Sequence, residues 1–441
     1  MPASANYRYL HPKNLKDVFP WEDISAILNN IYSNVMRDDH GIAGISSIPG
    51  AIIASPSMPA DPETDQNYVY DWVRDSALTV FELVEIAGNP SFSEWKPRLK
   101  KVLEHYVDFV AIVQQNSDQV SLGYARWNLD GTPSKNWTVQ NDGPALRIVS
   151  HLKAISEILD GGYKDKALEN VKRDLDYISA KYKDFGFNIW EEVYGDHFFT
   201  KKIIRKAFFE CENNGVFTSN VSAAVVKEQI TELEGMMAKH IEGRDYYKSN
   251  IAADSQNQRG NDKNIDVLFA LLHGEINRSQ DFSITAAKSV TTVAELVRCF
   301  MTEYPVNRDD LLLGLGPNMG RYPFDNYDGD MSDGYNIGHP WFISGNALAS
   351  FFYKMALAAK SDPQVVKRVA KSFHGLYNIT IATAEDIIAL GDRHIQTTQR
   401  HWDHCRMSEQ YDRNSGYLKS VKDLTWSYAT YLMAYRLRSA L

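Results

Sequence analysis

The feature that most constrains the fold is a helical periodicity that recurs along most of the chain. Segment 95–115 carries apolar side chains three and four residues apart, a spacing that places them on one face of a helix. Segment 143–162 begins near Pro144 and ends at Gly161-Gly162, and segment 165–182 repeats the spacing. Similar segments lie near residues 22–36, 75–88, 203–210, 219–238, 283–304, 341–359, 363–378, 380–391 and 423–438. The pattern predicts about a dozen helices and an all-α fold.

Long loops rich in Gly, Asp, Asn and aromatic residues separate these helices, and alternating β patterns are rare. Loops of this length in a compact helical domain usually carry function. The periodicity alone fits a bundle, a solenoid or a closed double ring. The 441 residues contain no Pro/Ser/Gly linker, no block of like charge and no short repeat. We therefore expect one domain over residues 1–441.

Charge and composition exclude several functional classes. The net charge is −9 with acids and bases interspersed, so no basic stripe is available for nucleic acid. No run is apolar enough to span a bilayer, and the first residues lack a signal-peptide core. Three distant cysteines, Cys211, Cys299 and Cys405, do not form a disulfide framework. We expect a soluble, monomeric, intracellular protein of the cytoplasm or vacuole.

Two adjacent glutamates, Glu191 and Glu192, stand in the aromatic stretch "NIWEEVYGDHFFT". In a loop their side chains diverge, so one can enter a pocket while the other lines its wall. Apolar surroundings and a second negative charge disfavour ionisation and raise the pKa of a carboxyl, as a general acid requires. Taken alone, such a motif is about twice as often a solvated surface pair as a functional pair.

Two further stretches carry polar groups among aromatic residues. Glu409 lies in "RMSEQYDRNSGYLKS", and two distant carboxyl centres in aromatic loops fit the two-carboxylate chemistry of glycoside hydrolysis. Arg74 and Asp75 in "NYVYDWVRDSAL" can donate to and accept from adjacent sugar hydroxyls. The plainer alternatives are a surface glutamate and a helix-capping aspartate.

Two other clusters suggest metals only weakly. The stretch "HWDHC" offers His401, Asp403, His404 and Cys405, but no further ligand at a supporting spacing. The acidic stretch 325–334 lacks the spaced Gly and terminal Glu of a calcium-binding loop. We therefore expect neither a metal nor any other cofactor.

Taken together and in order, six stretches resemble the glucoamylases of glycoside hydrolase family 15, especially the fungal and yeast branch. They are "AIIASPS", "YVYDWVRDSAL", "NWTVQNDGPALR", "NIWEEVYGDHFFT", "GRYPFDNYDG…HPWF" and "SEQYDRNSGYLKSVKDLTWSYA", and they span roughly residues 50–438. The resemblance implies an (α/α)6 barrel, a double ring of six inner and six outer helices, with the active pocket built from long loops at one end.

The resemblance also implies roles for individual residues. Glu191 would be the general acid and Glu409 the general base, with Arg74 and Asp75 holding the terminal glucose. Glu192 would accept hydroxyls of the leaving sugar, and Arg321 would bind across the scissile bond. The implied substrate-binding residues are Tyr68, Trp72, Arg74, Asp75, Trp137, Trp190, Glu192, Arg321, Asp325, Trp341 and Gln410.

The implied reaction is inverting, exo-acting release of β-D-glucose from the non-reducing ends of α-1,4-glucans, with slower action on α-1,6 bonds. Carboxyl groups about 6.5–9.5 Å apart would leave room for the attacking water. We expect no starch-binding module, so glycogen and soluble dextrins are better candidates than raw starch. The family often has Asp where this chain has Asn188, which predicts a shifted pH optimum. Phe324 likewise replaces a common acid.

Three alternatives remain at this point. A glucodextranase or a trehalase would share the fold and prefer another linkage. A non-catalytic glycan-binding regulator, like the related domain of the phosphorylase kinase α subunit, should have lost one of the carboxylates. This chain keeps Glu191, Glu192 and Glu409.

Overall fold

A computed structural model of the chain describes residues 12–59, 66–257, 259–276, 281–329 and 337–441. These residues form fifteen α-helices. They are α1 Leu15–Val18, α2 Trp21–Ser33, α3 Val73–Gly88, α4 Lys96–Asn116, α5 Asp142–Glu157, α6 Gly161–Lys181, α7 Phe198–Asn213, α8 Ala223–Ala238, α9 Asp266–His273, α10 Ala287–Phe300, α11 Pro305–Leu312, α12 Phe342–Ala359, α13 Gln364–Ser372, α14 Ala384–His401 and α15 Thr425–Ser439. Three short 3-10 helices cover Pro90–Phe92, Ser117–Gln119 and Lys239–Ile241.

Six of these helices form a closed inner ring. Helices α3, α5, α7, α9, α12 and α15 each contact the next member, and α15 returns to contact α3. They are buried on nearly every side, as a helix inside a ring must be. The helical periodicity alone fitted a bundle, a solenoid or a closed double ring. The observed closure of the inner ring shows that the fold is a double ring.

The outer helices cover the ring with one apolar face each. Helix α4 contacts α3, α6 contacts α5, α8 contacts α7, and α10 contacts α9. Helices α13 and α14 contact α12, and α2 contacts α15. Helix α2 shows the principle, because Ile24, Ile27, Leu28 and Ile31 are buried and the opposite face carries polar residues. One hydrophobic core therefore extends between the two rings.

Short antiparallel ladders order the loops that precede the inner helices. Strand β1 Asp71–Trp72 pairs with β2 Arg126–Trp127 directly before α3. Strand β4 Tyr194–His197 lies between β3 Gly186–Phe187 and β5 Asn250–Ala252, and leads into α7. Strands β6 Gln410–Tyr411 and β7 Leu418–Lys419 form the third ladder. The ladders fix the loops at the end of the ring where the inner helices begin.

The sequence prediction missed or misplaced several boundaries. Helices α9 and α11 were not predicted, and α14 continues to His401 rather than ending near residue 391. Gly161-Gly162 does not end α5, which stops at Glu157. The pair instead begins α6, with Gly161 in the left-handed region at φ 49°. Over the described residues, no helix combines the length and the apolar character needed to cross a bilayer.

Candidate active site

A cavity of about 430 Å³ lies where the inner helices begin. Eleven of the thirteen predicted site residues border it, and they come from loops that are far apart in sequence. They are Tyr68, Trp72, Arg74, Asp75, Trp137, Trp190, Glu191, Glu192, Arg321, Trp341 and Glu409. The predicted convergence of these residues on one pocket is therefore observed.

The starts of the inner helices give this end of the ring its electrostatic character. Trp72, Trp341 and Leu424 are the N-cap residues of α3, α12 and α15, and all three border the cavity. The first turn of a helix leaves backbone N–H groups unpaired and carries the positive end of the helix dipole. The cavity is therefore a setting in which carboxylate groups can remain buried.

Glu191 points into the cavity from a tight loop between β3 and β4. Its backbone lies in the left-handed region at φ 66°, and its N–H donates to the carbonyl of Asn188 at 2.9 Å. One carboxyl oxygen, Oε1, accepts hydrogen bonds from the indole Nε1 of Trp72 and of Trp137, both at 2.9 Å. The second oxygen makes no hydrogen bond to the described residues and is left for a ligand.

The environment of Glu191 acts on its pKa in both directions. Burial raises the pKa of the carboxyl above its usual value, and this effect dominates. The two indole N–H groups and the positive charges of Arg74 and Arg126 act in the opposite direction. The carboxylate of Glu192, the expected negative neighbour, is paired with Arg321 at 3.0 Å. Burial therefore produces the raised pKa that the sequence predicted.

Glu192 turns away from its neighbour and lines the wall. Its Oε1 accepts from Nη2 of Arg321 at 3.0 Å, and its Oε2 accepts from the hydroxyl of Tyr322 at 2.7 Å. Its backbone N–H is bound by the side-chain oxygen of Asn188 at 2.9 Å. The two adjacent glutamates thus diverge, as predicted for a loop.

Glu409 is the second buried carboxyl group of the cavity, with 2% of its surface exposed. Its Oε1 accepts from the hydroxyl of Tyr68 at 3.0 Å. Its Oε2 accepts from the hydroxyls of Tyr327 at 2.9 Å and Ser420 at 2.5 Å. Burial raises the pKa of Glu409, and the three hydroxyl donors oppose that rise because they stabilise the ionised form.

Arg74 and Asp75 occupy the first turn of α3 at the cavity wall. Arg74 donates to Gln140 Oε1 at 3.0 Å, to Asp142 Oδ2 at 3.3 Å and to the carbonyl of Ile189 at 3.1 Å. Its Nε and Asp75 Oδ2 are 3.7 Å apart, and neither has a hydrogen-bond partner in the described part of the chain. Burial raises the pKa of Asp75 to about 6. An unused donor and an unused acceptor therefore stand side by side.

Tryptophan rings form an apolar wall of the cavity, and the guanidinium of Arg74 lies 5.5 Å from the ring centroid of Trp426. Trp190 packs against Trp341 and Trp426, with ring centroids 5.4 and 6.4 Å apart, and its Nε1 donates to Asn264 at 2.8 Å. The Nε1 atoms of Trp341 and Trp426 have no hydrogen-bond partner among the described residues. Aromatic faces with polar groups at their edges suit a sugar ring, which is apolar on its faces and polar at its rim.

Two predicted site residues, Asp325 and Gln410, do not border the cavity. Asp325 is buried behind Arg321 and binds its guanidinium through two hydrogen bonds of 2.7 Å. Gln410 is fully buried and donates to the carbonyl of Tyr327 at 3.2 Å. Both lie behind the wall and support residues that line it.

The weak metal candidates have ordinary partners. His401 Nε2 lies 2.9 Å from Asp310, and Cys405 Sγ donates to Asp23 at 3.3 Å. Across the described ranges, no group of three or more His, Cys, Asp or Glu side chains could hold a metal ion. The acidic stretch 325–334 lies partly outside the described residues.

The sequence did not identify Arg126, Tyr327, Ser420 or Trp426 as site residues. The guanidinium carbon of Arg126 lies 3.3 Å from the ring centroid of Trp137 and 4.3 Å from that of Tyr70. Trp426 and Ser420 stand inside the quoted "KSVKDLTWSYA" stretch, so the stretch carried the signal although the residues were not chosen. Tyr327 likewise stands inside the quoted "GRYPFDNYDG" stretch, whereas Arg126 of strand β2 lies outside the quoted stretches and has no local pattern to distinguish it.

A closed ring of paired helices with two buried carboxyl groups in a tryptophan-walled cavity defines an (α/α)6 glycoside hydrolase. The chain belongs to the glycosyl hydrolases family 15, whose family model matches residues 25–436. The family and the enzyme class predicted from the sequence are confirmed, and the match begins before the predicted residue 50.

Relatives with this fold come from yeasts and other fungi. A probable glucoamylase of Schizosaccharomyces pombe is 28% identical, covering 94% of this chain and 89% of its own length. The intracellular sporulation-specific glucoamylase of Saccharomyces cerevisiae is 26% identical, covering 88% of this chain and 79% of its own length. The solved glucoamylase of Saccharomycopsis fibuligera superposes with a TM-score of 0.79 at 23% identity, covering 100% of this chain and 98% of that one. The predicted (α/α)6 fold is confirmed.

Proposed function

We propose that the protein is an exo-acting, inverting α-glucan hydrolase that releases β-D-glucose from non-reducing chain ends. The observation that carries the proposal is the contrast between two buried carboxyl groups in one cavity. Glu191 is held on one oxygen by indole N–H donors, whereas Glu409 is bound on both oxygens by hydroxyl donors. One group is thereby arranged to deliver a proton, and the other to remain ionised.

Glu191 acts as the general acid. Its protonated free oxygen faces the glycosidic oxygen and donates the proton as the bond breaks. The indole N–H groups of Trp72 and Trp137 hold the other oxygen and stabilise the carboxylate that forms. Arg74 and Arg126 add positive charge around that carboxylate. The raised pKa keeps the acid protonated under mildly acidic conditions.

Glu409 acts as the general base toward a water molecule. Three hydroxyl donors stabilise its ionised form, and Tyr68 also donates beside the point of attack. Water activated on the face opposite the leaving group inverts the anomeric carbon, so the α-linkage yields the β-anomer. Inversion requires a water-sized space between Glu409 and the sugar.

Substrate direction follows from the cavity walls. Arg74 and Asp75 both border the cavity, and they bind hydroxyls of the terminal glucose and thereby close this end of the pocket. Glu192 and Arg321 form an ion pair on the wall and bind the leaving sugar. Asp325 and Gln410 contribute indirectly, because they hold Arg321 and Tyr327. A cavity closed beyond the first sugar accepts chain ends rather than internal bonds.

The decisive test offers the purified protein maltose, isomaltose, trehalose and glycogen, and measures free glucose by an enzymatic assay and its anomer by proton NMR. We expect the fastest release from α-1,4 bonds, slower release from isomaltose, and initial accumulation of β-glucose. Preferred cleavage of isomaltose or trehalose would select a glucodextranase or a trehalase. Binding of glycogen without any glucose release would select a glycan-binding regulator.

We further propose that one catalytic domain acts as a monomer on glycogen or soluble dextrins inside the cell. Two observations support an intracellular site. All three cysteines are free, as is usual in reducing compartments, and one relative is named an intracellular glucoamylase. Cell fractionation tests the location and light scattering tests the mass. Finding most of the activity in the culture medium would contradict the intracellular location. A dimer mass would contradict the monomeric state.

A further inference from the structure

A second cavity lies on the axis of the ring, away from the residues of the candidate active site. It has a volume of about 140 Å³ and is bordered by side chains from all six inner helices. Its floor is apolar, whereas its polar rim consists of Lys206, His273, Lys354, Arg436 and the two carboxylates Glu82 and Glu275. The roles proposed for the active site use none of these residues.

The two carboxylates of this second cavity are already engaged. The two oxygens of Glu82 accept from Nε and Nη2 of Arg436, both at 2.9 Å, so this edge of the guanidinium is occupied. Glu275 accepts the backbone N–H of Ile284 at 2.9 Å and lies 3.8 Å from Lys202. The acceptor capacity and negative charge of the rim are therefore largely compensated.

Polar nitrogen atoms with unused hydrogen-bonding capacity remain on three different inner helices. Lys354 on α12 donates to the carbonyl of Leu272 at 3.0 Å and has no carboxylate within salt-bridge distance in the described ranges. Lys206 on α7 pairs with Glu210 at 2.6 Å and keeps further N–H groups. His273 Nε2 is shielded from solvent and has no hydrogen-bond partner among the described residues.

Burial and the neighbouring charges together determine the titration of the cluster. Burial, with smaller contributions from nearby Arg436 and Lys206, lowers the pKa of Lys354 to about 8, although Glu275 and Glu82 act in the opposite direction. Burial, Lys354 and Arg436 together lower the pKa of His273 to about 3. The cluster therefore gains stability from a bound negative charge.

We propose that this cavity, which we call the axial cavity, binds a small oxyanion such as inorganic phosphate or the phosphate group of a monoester. An oxyanion has several separate acceptor atoms, so it can accept from Lys206, from Lys354 and from the Nε2–H tautomer of His273 at the same time. Solvent can reach the site, because about a fifth of the side-chain surface of Lys206 and Glu275 is exposed (20% and 22%).

The alternative explanation is that these cations only compensate the negative ends of the inner helices. The bond from Lys354 to the carbonyl of Leu272, near the end of α9, is such a contact. It uses one of the three N–H groups of Lys354. Saturable binding of an oxyanion separates the two explanations, because cations that only compensate helix ends do not need to bind an anion.

The test is calorimetric titration of the full chain with inorganic phosphate at pH 7 and constant ionic strength, with sodium chloride as the control salt. We expect one saturable site with a dissociation constant of roughly 0.1–1 mM. Thermal unfolding should shift upward by about 1–3 °C near saturation, and less with chloride. Binding should weaken as the pH rises above 8, because Lys354 then loses its proton.

Variants locate the binding. Lys354→Met and Lys206→Met should each weaken phosphate binding at least tenfold, and glucose release should be unchanged in both. Lys172→Met is the matched control, because Lys172 is an outer-helix lysine paired with Glu169 at 2.8 Å. The second lysine variant keeps the test informative if one of them folds poorly.

Two outcomes would overturn the proposal. They are the absence of saturable phosphate binding to the unaltered protein, and unchanged binding in both the Lys354 and the Lys206 variants. A parallel titration with a hexose phosphate distinguishes the two sources of the anion. Competition with inorganic phosphate would identify a monoester as a ligand, whereas a failure to compete would restrict the site to the free ion. Neither result depends on glucose release, so the axial cavity and the proposed hydrolase activity can fail separately.

Discussion

The guanidinium of Arg126 stacks on the indole of Trp137, with 3.3 Å between its central carbon and the ring centroid. The same indole donates its N–H to Glu191 at 2.9 Å. A cation against an aromatic face is attracted to it, so Arg126 restrains the orientation of the ring. Arg126 therefore acts on the proposed acid both through Trp137 and by its own charge.

Replacing Arg126 should change the pH dependence of the reaction. Glu191 must be protonated for catalysis, so its pKa sets the alkaline limb of kcat/KM. Arg126→Met removes a positive charge that favours the ionised form of Glu191, so the pKa of Glu191 should rise. The alkaline limb should therefore move to higher pH by roughly 0.5–1 unit. Loss of the restraint on Trp137 should also lower kcat about tenfold. Rates measured over pH with maltotriose test this prediction.

Arg98→Met provides the control for that prediction. Arg98 lies over Trp95 at 5.6 Å from the centroid and does not border the cavity. Its pH profile should match that of the unaltered protein. Arg126→Lys should restore the alkaline limb but only part of kcat, because an ammonium group keeps the charge without the planar stack. An unmoved alkaline limb in Arg126→Met would refute the proposed coupling.

The adjacent glutamates should respond differently to the same substitution. Glu191→Gln keeps the shape but loses the transferable proton, and should lower kcat by roughly 10²–10⁴-fold with little change in maltotriose binding. Glu192→Gln weakens a charged contact that is worth about 1.5–3 kcal/mol, so kcat/KM should fall by one to two decades, partly through KM.

An activated substrate separates the two roles. The fluoride of α-glucosyl fluoride needs less protonation to leave, so this substrate should rescue Glu191→Gln more than Glu192→Gln. Steady-state kinetics of both variants with both substrates give the comparison. Rescue confined to the Glu192 variant would mean that the two glutamates have exchanged roles.

The hydroxyl donors around Glu409 should set the acidic limb. Ser420→Ala removes the donor at 2.5 Å, so the ionised form is less stabilised and the pKa of Glu409 should rise. Because the base must be ionised, the acidic limb of kcat/KM should move to higher pH by roughly 0.5–1 unit. Activity is then lost first at low pH, and the alkaline limb stays in place. Tyr327→Phe should repeat the result, and an unchanged acidic limb in both variants would exclude Glu409 as the titrating base.

Asn188 offers a substitution that adds charge beside the acid. Its Oδ1 accepts the N–H groups of Glu192 and Val193 at 2.9 and 3.2 Å, whereas its buried Nδ2 has no hydrogen-bond partner among the described residues. Asn188→Asp keeps the acceptor and adds a negative charge that the two N–H groups stabilise. The pKa of Glu191 should rise, and the alkaline limb should move to higher pH. A shift to lower pH would contradict this account.

Helix α9 shows what the sequence could not reveal about the fold. The six residues Val267–Leu272 are all apolar and all buried, since α9 lies in the inner ring. A helix that is buried on every side has no polar face, so the three/four spacing that revealed the outer helices is absent. Outer helices α4 and α6, which each bury one apolar face, were predicted for the opposite reason.

The residues of the candidate site also fall into two groups: those that the sequence indicated, and those that only the three-dimensional packing places at the site. Glu191 and Glu409 stand in distinctive stretches, so their place in one pocket could be predicted before any geometry was known. Arg126 is important only because β2 pairs with β1 and thereby brings it over Trp137 and Tyr70. Asp325 stands in a distinctive stretch too, yet it binds Arg321 behind the wall. Long-range packing determines these placements, and local sequence does not encode them.

Closure of the inner ring has a consequence for the newly made chain. Arg74 near the start of α3 lies over Trp426 of α15 at 5.5 Å, and the backbone N–H of Thr425 binds the carbonyl of Ala54 at 2.8 Å. The pocket wall is therefore complete only after the last helix has been synthesised and has docked against the first of the ring. A ribosome-bound chain lacking α15 would carry both proposed catalytic glutamates and still be inactive, so the onset of glucose release would report the moment at which folding is complete.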